Sequence, residues 1–367
     1  MITPLLISIG AATGISVFLA LLMVIADATI ANYGEVTITI NDDKEYTVQG
    51  GKPLLGTLSA QEIFIPSACG GRGSCGLCKV KVLEGAGQYL PTELPWIDEE
   101  EKKENVRLSC QLKVKQDFRI EIPEELFNVK QFDATVERIR DLTYDIKEVT
   151  LRLNDPPEIE FVAGQYVQLE IPEYELTDEP VYRAYSVASI PSDTNHLELE
   201  IRLVPDGIAT TYVHQYLQEG EEMILNGPYG DFYRRETDME MICIAGGSGM
   251  APIKSILLDM EEKGVNRRVR YFFGARSKKD LFLVDEMRDL EKRLPNFTFI
   301  PALSDPEPED EWEGDTGLIT DVVDRYMESG DNTEAYLCGS PGMIDACLKV
   351  LDGKGVPEER IFFDKFG

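Results

Sequence analysis

Three cysteines crowd into the segment SACGGRGSCGLCKV, with Cys69, Cys75 and Cys78 spaced C-x5-C-x2-C and Cys110 following in LSCQ. Four soft thiolates are the ligand set of an iron-sulfur core. The glycines of this loop let the backbone wrap inorganic sulfide and aim amide N–H groups at it, which offsets the negative charge of a cluster. Plant-type ferredoxin spacing is C-x4-C-x2-C, so the loop carries one extra residue. Zinc could use the same four thiolates, but zinc ribbons pair two C-x2-C knuckles and only one is present here. A Rieske centre needs two His ligands, and His196 and His214 are remote in sequence from these cysteines. The expectation is a [2Fe-2S] cluster on Cys69, Cys75, Cys78 and Cys110, without structural zinc. An odd count of seven cysteines, clustered in this way, favours a metal site in a reducing compartment over a disulfide framework. Cys243 and Cys347 read as core residues.

A second set of chemistry-bearing residues lies downstream. The strand-like RAYSVAS carries Arg183, Tyr185 and Ser186, which along one strand and its end could address a flavin pyrophosphate, the isoalloxazine face and N5. An ordinary sheet strand has the same alternation. Gly207, Thr210 and Thr211 in DGIATTYVHQYL precede a short helix, whose N-terminus with hydroxyls could make a second pyrophosphate contact. At AGGSGMAP, Gly246, Gly247 and Gly249 follow a buried strand and open a helix with Pro252 in its first turn, an arrangement that lets a dinucleotide phosphate approach the backbone. The run lacks the full G-x-G-x-x-G, so its position between strand and helix carries the reading. Cys338 and Gly339 end a later strand, where ligands of open α/β sheets collect. Arg276, Ser277 and Lys278 after the second strand could hold a 2'-phosphate.

These residues need three kinds of scaffold. With 367 residues the chain suits two or three domains. From Val36 to Val48 alternating apolar residues predict a β-hairpin that opens a domain. From Phe132 six antiparallel-type strands (FDATVERIR, IKEVTLRL, QYVQLEI, RAYSVAS, LELEIRLV, EMILNG) predict a small barrel. From Glu240 strands alternate with helices, predicted near 252–263 and 283–293, which implies a parallel α/β sheet. The acidic DEEEKKEN run near Asp98 reads as solvated surface.

Residues 1–26 carry no charged side chain, and the apolar run 4–26 is long enough to cross ~30 Å of hydrocarbon. The absence of Lys or Arg before Lys44 argues for a retained transmembrane anchor over a cleaved signal peptide. Gly10 and Gly14 form a small-xxx-small pair that could admit another helix. The 66 acidic and 36 basic residues give a net charge of -30, which repels polyphosphate backbones and makes nucleic acid an unsuitable partner.

RAYS, AGGSGMAP, YLCG and an aromatic near the C-terminus resemble the ferredoxin-NADP reductase superfamily. In their full order, with the apolar N-terminus, ACGGRGSCGLCKV, LSCQ, FGARSKKDLF, LSDPEPEDEW, YLCGSPGM and FFDKFG, the segments resemble the F-subunit family of Na+-translocating NADH:quinone oxidoreductases. The resemblance covers essentially the whole chain. It implies an N-terminal transmembrane helix (1–28), a β-grasp ferredoxin-like domain (34–128), an antiparallel β-barrel FAD domain (129–236) and an α/β nucleotide-binding domain (237–367). It also implies FAD contacts from Arg183, Tyr185, Ser186 and Thr210 and a nicotinamide nucleotide on Gly246, Gly247 and Gly249. Cys338 would lie near the nicotinamide and Phe366 over the flavin, making Ser186, Cys338 and Phe366 the catalytic set. NADH would be the substrate, integral membrane subunits of a respiratory complex the partners, and the bacterial inner membrane the location, with cytoplasmic soluble domains. One segment departs from the family: IPEYELTDEPVY, before RAYS, is short and resembles the reductase components of aromatic-ring monooxygenases there. A membrane-tethered reductase serving an oxygenase is therefore the alternative, and a redox-responsive binding protein is a third reading.

Overall fold

The computed structural model describes residues 13–23 and 33–366. Residues 13–23 are helical. The rest of the expected anchor, including Gly10, lies outside the described residues, among which no helix is long and apolar enough to cross a membrane. The chain forms two compact units, Met1–Asn128 and Val129–Gly367.

In the first unit, β1 (Glu35–Ile40) and β2 (Lys44–Gln49) form the expected hairpin, with Val36, Ile38 and Ile40 buried on one face of β1. Helix α1 (Leu54–Ser59), β3 (Lys79–Glu84), the short helix α2 (Glu99–Lys103), β4 (Val106–Leu108) and β5 (Phe118–Glu121) follow. The sheet order is β2-β1-β5-β3-β4, with β1 and β5 parallel and the other pairs antiparallel. Its core includes Ile38, Leu54, Leu58, Val80, Leu108 and Ile120, and also Cys78 and Cys110, so the cysteine loop is anchored on packed residues.

The second unit begins with six antiparallel strands: β6 (Lys130–Asp141), β7 (Ile146–Asp155), β8 (Tyr166–Ile171), β9 (Val181–Ser186), β10 (His196–Arg202) and β11 (Glu222–Tyr229), with helix α3 (Ile208–Gln215) between the last two. Their order is β10-β7-β6-β11-β8-β9. Val187, just past β9, bridges Leu199 of β10, which curls the sheet by bringing its two edges together. The inward residues Val149, Leu151, Leu169, Val187 and Leu199 form its core.

The α/β part follows as β12 (Glu240–Gly246), α4 (Met250–Glu262), β13 (Val269–Ala275), α5 (Val284–Arg293), β14 (Phe297–Leu303), β15 (Asp315–Thr316), α6 (Ile319–Tyr326), β16 (Thr333–Gly339), α7 (Pro341–Gly353) and β17 (Ile361–Lys365). All neighbours in the order β15-β14-β13-β12-β16-β17 are parallel. The chain winds outward from β12 to β15 and then returns to the other side at β16. The topological switch point lies between β12 and β16, at whose C-terminal ends α/β proteins bind ligands. Ile146 of β7 shares a core with Met250, Ile253 and Tyr271, so the curled sheet packs directly on the α/β layer.

Candidate functional site: cysteine loop, flavin strip and nucleotide turn

The four cysteines of the loop fall into two pairs. Cys75 Sγ lies 3.4 Å from Cys69 Sγ, and Cys78 hydrogen-bonds Cys110. Cys78 and Cys110 are buried, whereas Cys69 and Cys75 are half-buried. Within each pair one thiol is stabilised as thiolate by the other's S–H. That hydrogen bond pulls Cys69 down to about 4, and it also draws Cys110 down to about 7. Cys75 and Cys78, as donors and through burial, are pushed up. Among the described residues no group of three or more His, Cys, Asp or Glu converges on a single-ion site. Two thiols per metal is the arrangement a two-iron centre uses.

The loop backbone is shaped for this. Gly76 has φ +71, and a Cβ there would stand 2.7 Å from Trp96 Cε3, so only glycine fits between the cysteines and that ring. The Gln111 side-chain amide donates to Cys110 Sγ at 3.4 Å, and its oxygen accepts from Thr92 at 2.9 Å. No motif marks Gln111. Its one sequence signal is its place beside Cys110, where an amide can satisfy a ligand sulfur.

The residues expected to meet a flavin lie on β9. Ser186 is buried, and among the described residues neither its Oγ nor the buried Oη of the half-buried Tyr185 has a hydrogen-bond partner. As neighbours on one strand the two side chains point to opposite faces, Tyr185 against the core of the curled sheet and Ser186 away from it, so each offers a separate unsatisfied hydroxyl that a bound polar group could meet. Arg183 donates from Nη1 to the Tyr182 carbonyl at 2.7 Å. Thr210 lies on α3, which packs against β9, and its hydroxyl accepts from Val204 N at 3.1 Å. Gly207 is the N-cap of α3, and Thr211 N donates to its carbonyl at 2.9 Å.

The glycine turn lies at the switch point. Residues Gly247–Gly249 form one 3-10 turn between β12 and α4. A Cβ at Gly249 would stand 2.2 Å from the Cys338 carbonyl oxygen, so close approach of the turn to β16 demands glycine there. Gly246, Gly247, Gly249 and Cys338 are thereby brought together. Cys338 is fully buried, and burial, followed by the nearby Asp364 and Glu200, pushes its thiol well up. Phe366 N donates to the Gly339 carbonyl at 2.8 Å, which ties the C-terminal aromatic to the same strand end.

Asp364, which no sequence pattern singles out, pairs with Cys338 in the β16–β17 register, and burial raises its carboxyl to about 6. Of the groups expected to hold a 2'-phosphate, each has a partner in the chain. Arg276 Nη2 meets Asp305 at 3.2 Å, Ser277 Oγ donates to Asp280 at 3.0 Å, and Lys278 Nζ donates to the Asp310 carbonyl at 2.9 Å.

Family models match in the same order as the folded parts: a 2Fe-2S iron-sulfur cluster binding domain over residues 38–115, an oxidoreductase FAD-binding domain over 133–233 and an oxidoreductase NAD-binding domain over 243–349. The chain is 38% identical to the F subunit of a Na(+)-translocating NADH-quinone reductase from Neisseria gonorrhoeae, over 97% of each chain. Its identity to the F subunit from Histophilus somni is 40%, again over 97% of each. The chain belongs to the F-subunit family of Na(+)-translocating NADH-quinone reductases. It is an oxidoreductase that passes electrons from NADH through FAD and a [2Fe-2S] cluster. Solved structures similar to this family member include the Amycolatopsis cytochrome P450 reductase GcoB (TM-score 0.73, 28% identity, 90% of this chain and 98% of that one). A ferredoxin reductase in carbazole 1,9a-dioxygenase is also similar (TM-score 0.69, 28% identity, 91% and 99%).

Proposed function

We propose that this chain is the electron-input subunit of a membrane respiratory complex: it oxidises NADH and delivers single electrons to a membrane partner that ends at quinone, with sodium translocated by other subunits. When bound, FAD accepts the hydride and the cluster carries electrons one at a time. In this reading Cys69, Cys75, Cys78 and Cys110 ligate the cluster. Arg183, Tyr185, Ser186 and the Gly207–Thr211 turn hold the flavin, and Gly246, Gly247 and Gly249 take the dinucleotide phosphate. Ser186, Cys338 and Phe366 flank the reacting rings. The hydride needs no protein acid or base, so these residues orient and exclude water.

The single observation that supports this most is the seating of the glycine turn against Cys338 at the switch point, with Phe366 tied to Gly339. We propose domain bounds of 1–28 for the anchor, 34–128 for a β-grasp cluster domain, 129–236 for an FAD barrel and 237–367 for the nucleotide domain, with the soluble domains cytoplasmic. Purification from membranes in mild detergent, with identification of what accompanies the chain, tests the proposal. Integral membrane subunits are expected, and an oxygenase in their place would overturn it.

The oxygenase-reductase alternative rests on a specific feature. The segment before β9 is compressed into a tight turn, with Tyr174 and Thr177 bridged to each other, and the similar solved structures include reductases named for a cytochrome P450 and a dioxygenase. Full-length identity of 38% and 40% to F-subunit relatives favours the respiratory reading.

A further inference from the structure

Alternation along β10 sends Leu197, Leu199 and Ile201 into the core of the curled sheet, so Glu198, Glu200 and Arg202 face the other way. On that side β10 meets the Gly247–Gly249 turn and α4. Glu200 stands directly opposite Glu148 of β7, and Glu148 stands opposite Arg140 of β6. Lys254 enters from α4 and Glu286 from α5. Around Glu200, the described residues of this face set four carboxyl groups (Glu148, Glu198, Glu200, Glu286) against three cations (Arg138, Arg140, Lys254), apart from the self-contained Arg202–Asp145 pair.

Each of these cations is engaged by two of the other three carboxylates. Glu148 accepts from Arg138 at 3.0 Å, Arg140 at 2.9 Å and Lys254 at 3.4 Å. Glu198 takes Lys254 at 2.9 Å, and Glu286 takes Arg140 at 3.2 Å. Glu200 is 4% exposed, and among the described residues neither of its oxygens has a hydrogen-bond partner. A further cation on the same face, Arg202, pairs instead with Asp145 at 2.8 Å, and its guanidinium nitrogen lies 3.2 Å from where a Cβ on Gly247 would stand. A buried carboxyl whose neighbouring cations bond to other carboxylates, and which receives no hydrogen bond itself, retains its proton.

We propose that Glu200 is a positioning residue for the nucleotide turn: it carries a proton through the neutral range, and releasing that proton to solvent places an uncompensated negative charge behind the turn and weakens dinucleotide binding. The inference rests on the nucleotide role proposed above for that turn. Burial, reinforced by Glu148, Glu198 and Glu286 against the pull of Lys254, lifts the carboxyl to about 8. The other titratable groups facing it ionise elsewhere. Tyr271 of β13 and Cys338 of β16 are both pushed well up by burial. Lys254 is pulled down by burial but raised on balance by Glu200, Glu198 and Glu148.

The test uses the oxidised holoprotein with NAD+ as the probe, so that no turnover occurs. Calorimetric titration from about pH 6.5 to about pH 9.5 in buffers of different ionisation heat is expected to show affinity falling about tenfold, the order of one unit charge acting at an effective dielectric near 20. Above the midpoint, binding should take up a proton. Glu200→Gln, neutral and of the same size, should hold the low-pH affinity throughout, with flavin content as the check on folding. Infrared difference spectra between the two pH limits, taken in an Asp364→Asn background because Asp364 ionises near about 6, should show loss of a protonated-carboxyl C=O band with Glu200 present and not in Glu200→Gln. Glu148→Gln removes one competitor for the cations, so Glu200 should then ionise at neutral pH and the band should be missing already at the acid limit. An identical pH profile in Glu200→Gln and parent, or a parent without the band, overturns the proposal. NAD+ binding with a flat parent profile overturns the coupling alone, whereas no NAD+ binding at any pH overturns the turn's nucleotide role as well.

Discussion

The guanidinium of Arg107 and the carboxylate of Glu93 meet in a two-point ion pair shut off from water, with Nε to Oε1 at 2.9 Å, Nη2 to Oε2 at 2.6 Å, and side chains 1% and 0% exposed. Further hydrogen bonds complete the pair: Arg107 donates to the carbonyls of Gly87 and Gln88, and Glu93 accepts from Leu90 N and Leu108 N. The pair thus pins the loop that carries Trp96 against Gly76 in the cysteine loop. Arg107→Ala leaves a buried carboxylate unpaired and should cost ~3–5 kcal/mol of the first unit's stability. Denaturant unfolding followed by the visible absorption of the cluster measures this, and a loss under ~1 kcal/mol would contradict the buried pairing. Burial pushes the Glu93 carboxyl up, but Arg107 and the two backbone N–H groups outweigh it and hold it low. Its folded value therefore lies below the unfolded one. The stabilisation is present above the ordinary carboxylate range and should be lost as pH falls through that lowered value.

Asp364 gives the opposite sign. Burial raises its carboxyl to about 6, above an unfolded value of about 3.9. The favourable contribution of the protonated group is complete below the unfolded value and lost as pH rises through about 6. Asp364→Asn should therefore raise the thermal midpoint at a pH well above that value and leave it nearly unchanged at the acid end of the accessible range. Equal effects at both ends would mean that the side chain acts only through packing.

NADH should be preferred over NADPH because Arg276, Ser277 and Lys278 are already engaged, Arg276 with a carboxylate that would repel a 2'-phosphate. Asp305→Asn frees Arg276 and removes the repulsion. It should raise kcat/KM for NADPH by about tenfold, worth ~1.4 kcal/mol, while changing that for NADH little. A parent enzyme with comparable specificity constants for both nucleotides would reverse this reading.

What was legible before folding follows from period and punctuation. The hairpin of β1 and β2 is announced by Val36, Ile38 and Ile40. The helix predicted near 252–263 appears as Met250–Glu262, because the glycine turn marks where β12 stops and Pro252 sits just inside the helix. The helix predicted near 283–293 appears as Val284–Arg293. Short elements escape such a reading: β4 is three residues, β15 two, and α6 lies in a stretch whose acidic surroundings mask its apolar stripe of Ile319, Val322 and Val323. The face bearing Glu148 and Glu200 escapes it for another reason. Alternation tells which residues point away from a sheet's own core, but not that a second layer covers them. Ile146, at the start of β7, joins the core of the α/β layer, a contact no local pattern encodes.

Cys75→Ala should separate the two halves of the reaction. Cys75 belongs to the first compact unit, whereas the flavin strip and nucleotide turn belong to the second, which has its own cores. The variant loses one thiol of the Cys69–Cys75 pair, and three thiolates do not complete a four-thiolate cluster site. It should retain FAD and reduce ferricyanide with NADH at close to the parent rate. Electron delivery to the membrane partner should be lost, since the one-electron carrier is missing. Unfolding of the first unit is the main confounder, because the binding energy of a metal centre is also folding energy. Flavin content and the rate of flavin reduction report on the second unit alone, and Cys75→Ser, close in size and polarity, checks that the effect follows the lost sulfur. NADH-driven quinone reduction that persists at the parent rate in reconstituted membranes, with no cluster present, would show that electrons do not pass through the first unit at all.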